Sequence, residues 1–69
     1  MIPGVLRTIG DARDYAAHIA GLVRLPVHIF AVPEGTAAHE IGYRFGTCRD
    51  DERKAYEADG AAIVETVEP

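Results

Sequence analysis

Cysteine and tryptophan are what this chain most obviously does without. Cys48 stands alone among 69 residues, and there is no tryptophan. A single thiol excludes an intramolecular disulfide, so packing and hydrogen bonds must hold the fold. It also fits a reducing compartment better than a secreted setting. Long hydrophobic runs are missing too. No apolar stretch approaches the ~20 residues that span a bilayer, and the opening MIPGVLRTIG has neither the basic start nor the apolar run of a signal peptide. The expectation is a soluble, cytoplasmic protein with no membrane partner.

Catalytic and cofactor signatures are also lacking. The metal-capable side chains His18, His28, His39 and Cys48 fall at none of the spacings CxxC, HxH or HExxH, so no metal or cofactor is expected. Gly42 and Gly46 flank aromatics rather than forming a phosphate loop, and there is no GxSxG. Acid–base work would fall to Asp50, Asp51 and Glu52, which read as a solvated charge run without a pocket to shift their pKa values. The chain is expected to be non-enzymatic. Its length allows a single domain, residues 1–69, and chains this short are only marginally stable alone.

What is present begins with Thr8 to Val23, the one long amphipathic stretch. Thr8 is a good N-cap, with Asp11 three residues on. Ile9, Ala12, Tyr15, Ala16, Ile19, Leu22 and Val23 recur at spacings of three and four, which predicts a helix with one inward face, rich in alanine and so able to lie close to a sheet. Pro26 stops it. Residues 26–32, PVHIFAV, read as a central strand, apolar on both faces. Ile41, Tyr43 and Phe45 alternate with Gly42, Arg44 and Gly46, which predicts a strand over 40–47 pairing antiparallel with 26–32. The glycines leave room on that strand for something to pack closely. Residues 50–59 lack a β-branched residue over 51–58 and end at Gly60, which favours a helix over a hairpin turning at Asp59-Gly60. Residues 61–67 form a last strand. With a short strand at 4–7, the order is β-α-β-β-α-β. That predicts an α+β two-layer sandwich, ferredoxin-like, with both helices on one face. The alternative is one helix packed on an antiparallel β-meander.

Charge is unevenly spread. Five basic and four acidic side chains occupy residues 1–49, against two basic and seven acidic in 50–69, for a net charge of −4. This balance argues against nucleic acid as a direct partner. Instead the run Asp50, Asp51, Glu52, Glu57 and Asp59 is the candidate partner-binding site, with carboxylates standing in for phosphates on a Lys/Arg surface. In size, charge and lack of motifs the chain resembles the small phage-encoded inhibitors called anti-CRISPR proteins, several of which are compact α+β domains. That resemblance implies an inhibitor, a DNA mimic, bound to the basic surface of a nucleic-acid-handling bacterial protein such as a CRISPR effector subunit. Two other readings stand beside it. The two-sided apolar strand 26–32 suits a protein-binding or oligomerising module, a homodimer included. Gly42-Tyr43-Arg44-Phe45 resembles part of the RNP1 strand of RNA-recognition motifs, which implies aromatics that stack on bases. Ile41 stands where that motif has a basic residue, and Tyr43 and Phe45 read first as core.

Overall fold

The computed structural model describes residues 5–69. Helix α1 spans Ile9–Val23, strand β1 Val27–Ala31, the one-turn helix α2 Ala37–Glu40, strand β2 Phe45–Cys48, helix α3 Asp50–Ala58 and strand β3 Ala62–Val67. The result is an α+β fold around a three-stranded antiparallel sheet ordered β2-β1-β3.

α1 starts where its cap chemistry places it. The Asp11 N–H donates to Thr8 Oγ1 at 3.0 Å, satisfying one amide that the helix itself cannot. It ends at Arg24, whose left-handed backbone (φ 58°) turns its N–H onto the Ala20 carbonyl at 2.8 Å, two residues before Pro26. The buried face is Ala12, Ala16 and Ala20, all without exposed surface, packed on Val27 and Ile29 of β1. Ile9 and Ile19 flank this seam half-buried. Leu22 and Val23, expected on the inward face, are exposed.

β1 is the central strand, as its two-sided apolar pattern predicts. Alternate side chains of a strand point to opposite faces, so Val27 and Ile29 meet α1 while His28 and Phe30 meet α3 through Asp50 and Tyr56. Burying Val27 and Ile29 completely stabilises the fold by about 1.5–3 kcal/mol each.

The topology departs from the ferredoxin-like expectation in three ways. Residues 5–7 carry no strand, and residue 4 of the expected strand 4–7 lies outside the described residues. The Leu6 carbonyl instead accepts from the Arg44 and Phe45 N–H groups at 2.9 and 3.1 Å, tying the segment to the start of β2. The expected strand 40–47 is shifted, since residues 37–40 form α2 and only 45–48 pair with β1. Finally, α1 and α3 cover opposite faces of the sheet. The physical reason is the crossover: β2 and β3 lie on either side of β1, and α3 bridges them over the face that α1 leaves open. The meander alternative falls with it, because residues 50–58 are helical. Gly60 ends α3 at φ 98°, with the Gly60 and Ala61 N–H groups returned to the Glu57 and Tyr56 carbonyls.

A bulge at Val64 shifts the register between Ile63 and Glu65 opposite Phe30 and Ile29. It puts Glu65 on the α1 face, where the Arg13 guanidinium donates to both carboxylate oxygens at 2.8 Å. That bond holds the Glu65 carboxyl below its ordinary value of 4.5 and raises Arg13. Because the folded pKa is the lower one, the pair's contribution is complete above the ordinary glutamate range. It is lost as pH falls through the folded value. Both groups are solvated and the effect is small. In acid titrations of the melting temperature, wild type should lose more stability below pH 4.5 than Glu65→Gln does. Parallel curves for the two proteins would show that the pair contributes nothing.

Candidate functional site

The acidic run folds as α3 and its C-cap. Asp50, Asp51 and Glu52 occupy the first turn, where the positive end of the helix dipole favours carboxylates. Glu52 Oε1 reaches back to accept from the Arg49 N–H at 3.1 Å, which is the carboxylate half of a capping box. α3 has no buried residue, and Asp50 and Asp51 present side chains 72% and 74% exposed.

The five carboxylates are not equivalent. Asp50 Oδ1 accepts from Nε2 of His28, and His28 Nδ1 lies 2.8 Å from Thr66 Oγ1. An ionised carboxylate only accepts, so Nε2 carries the proton, while Nδ1 pairs with the Thr66 hydroxyl, which can donate or accept. His28 is 4% exposed, and these two bonds satisfy both its nitrogens. Asp50 thus fastens α3 to β1. Arg49 lies 3.8 Å from Asp51 and 3.4 Å from Glu52, and Arg53 pairs with Glu57 one turn away at 3.0 Å. Asp59 enters no ion pair among the described residues. The outward charge is therefore least offset at Asp59 and next at Asp51, 3.8 Å from Arg49, while Glu52 and Glu57 are more closely paired with their arginines.

Beside this face runs an open apolar groove of about 320 Å³, lined by Phe30, Pro33, Ile41, Tyr43, Tyr56 and Asp59 among others. The Phe30 ring stacks on Tyr56 at 4.8 Å and lies over Gly46. A Cβ on Gly46 would come within 2.3 Å of the Phe30 ring, so the room expected from the strand's glycines is taken by this ring. Tyr43 precedes β2 and Phe45 opens it; both line the groove, and Phe45 also packs against the α1 core. Only Phe45 of the two lies in a strand, so the alternation expected of one strand face is not formed. A second, acidic cleft, lined by Asp51, Glu52, Ala55, Tyr56 and Asp59, adjoins the groove and shares Tyr56 and Asp59 with it.

Cys48 is buried on the α3 face of β2. Burial first, and then the charge of Glu52, push its thiol up, which keeps it protonated at neutral pH. Among the described residues no three His, Cys, Asp or Glu side chains converge as a metal site, and no helix is long and apolar enough to cross a membrane. No protein-family model, curated protein or solved structure matches this chain.

The acidic run was legible in the sequence, and so was its helix. The groove was not, because its walls come from Pro33, Ile41 and Tyr56, which only the fold brings together. The signal for the α3 latch was His28 itself. A histidine in a strand covered on both faces needs a partner for each ring nitrogen, and a carboxylate and a hydroxyl supply them.

Proposed function

We propose that the chain is a non-enzymatic binding protein that uses the outward face of α3 to occupy a basic, nucleic-acid-handling surface on a protein partner and so inhibits it. The observation behind this reading is the exposed carboxylate face itself: α3 buries none of its residues, and its first turn turns Asp50 and Asp51 to solvent. Carboxylates three and four residues apart on a helix stand ~5–6 Å apart, a spacing that suits lysines and arginines arranged to hold phosphates. A bacterial defence complex that handles guide RNA or target DNA is the partner class this reading proposes.

The test is capture from a bacterial extract on immobilised wild type and on an Asp51→Lys/Asp59→Lys variant. A partner of this kind should be retained by the wild type at low salt and released as salt rises. It should bind the variant at least tenfold more weakly, and it should lose its own DNA or RNA binding when the wild-type chain is added. Equal retention on both baits, or a partner whose nucleic-acid binding is untouched, would overturn the reading.

A further inference from the structure

The groove and the acidic cleft meet at Tyr56 and Asp59, and their juxtaposition says what kind of segment fits. Resting on the binding role above, we propose that the groove receives an apolar side chain from a basic amphipathic segment of the partner, whose neighbouring lysines or arginines lie over Asp59, Asp51 and Glu52.

Three observations carry this. The first is the groove's chemistry. Its walls are aromatic and aliphatic, and Ile41 stands on its rim 69% exposed, an apolar side chain left in water. The second is its shape. At about 320 Å³ it lies at the small end of ligand pockets. It is also open to solvent, so a free small molecule would keep much of its surface wet, whereas a side chain carried by a segment needs only one face covered. The third is charge. Asp59 belongs to both surfaces, and from it the carboxylates continue along α3 to Asp51 and Glu52. A segment with a large apolar residue and cationic residues a turn away matches both halves at once, an anchor in a desolvated pocket with a charged rim around it. The Phe30–Tyr56 stack over Gly46 forms the pocket before any segment arrives, which lowers the ordering cost of binding.

Three short helical peptides test the proposal against the full chain by calorimetry: an amphipathic Leu/Lys sequence, the same sequence with alanine for leucine, and the same with glutamate for lysine. The wild type should bind the Leu/Lys peptide about tenfold or more tightly than either analogue, as expected when an anchor or its cationic flank is removed. Two groove variants separate this proposal from the one it rests on. Ala38→Phe fills the groove from an exposed position on α2, and Ile41→Ser removes the rim. Both should lose the preference for leucine over alanine while keeping that for lysine over glutamate. Equal affinity for the Leu/Lys and Ala/Lys peptides, or a leucine preference that survives in Ala38→Phe, overturns the groove proposal and leaves the acidic face standing. Equal affinity for the Leu/Lys and Leu/Glu peptides overturns both. Sedimentation showing a second copy of the chain in the groove, abolished by Ile41→Ser, also overturns it.

Discussion

Ala16→Leu is expected to remove a large share of the protein's stability and to lower its urea midpoint clearly. Ala16 has no exposed surface, and it lies in the seam where α1 rests on Val27 and Ile29. With only a methyl group at positions 12, 16 and 20, the helix lies close on the sheet, and an isobutyl group must either push it off or leave its rotamer well. Overpacking of this kind costs about 1–3 kcal/mol and sometimes more. A domain of this length has a total stability of roughly 3–10 kcal/mol, so the loss is a large share of it. Leu22→Ala is the control. Leu22 is 67% exposed, and its truncation should change stability by no more than about 0.5 kcal/mol. Urea melts read both. A wild-type midpoint for Ala16→Leu would mean that the helix does not rest on the sheet through its alanines.

That pairing of variants also marks where the sequence pattern stops being informative. The three-and-four spacing from Ile9 to Val23 locates α1 to within a residue, and Thr8 and Pro26 bound it. The spacing does not say how much of the apolar stripe the rest of the fold covers. The pattern expects an alanine-rich inward face, and Ala12, Ala16 and Ala20 do make the closest contact, but it also includes Leu22, which is exposed. The strands behave in the same way. The VHIFA stretch reads as central because both its faces are apolar, and it is. The alternation through Ile41, Tyr43 and Phe45 is cleaner, yet only its last member pairs, because Thr36 caps a turn of helix with a 3.3 Å bond from the His39 N–H and uses up the residues before it. Which face each helix covers depends on strand order, a long-range property with no local signature. The acidic site follows the same division. Its residues are contiguous and therefore legible, while the apolar half beside it is assembled from three separate segments.

The bond between His28 and Asp50 should make Asp50 the one carboxylate of the acidic run that cannot be exchanged freely. From the sequence, alanine at Asp50, Asp51 and Glu52 together looks neutral for stability, as it does for exposed charges in general. The structure separates the first from the second. Asp50→Ala leaves the buried Nε2–H of His28 without a partner, which costs about 1–3 kcal/mol, and it removes a carboxylate from the first turn of α3, which adds about 0.3–1 kcal/mol. Asp51→Ala loses the same first-turn term but strands no buried group, its carboxylate lying 3.8 Å from Arg49, so it should cost no more than about 0.3–1 kcal/mol. Asp50→Asn keeps an acceptor oxygen and should retain most of the stability, so any loss of partner binding in that variant reports charge rather than folding. His28→Leu removes the need for the acceptor altogether. In the His28→Leu background, Asp50→Ala should then cost only its share of the dipole term. A double-mutant cycle by urea unfolding should give a coupling of about 1–2 kcal/mol between the two positions. Strictly additive effects would mean that α3 is held to the sheet by the Phe30–Tyr56 stack and the flanking strands alone. Asp50 would then be as free to meet a partner as Asp51.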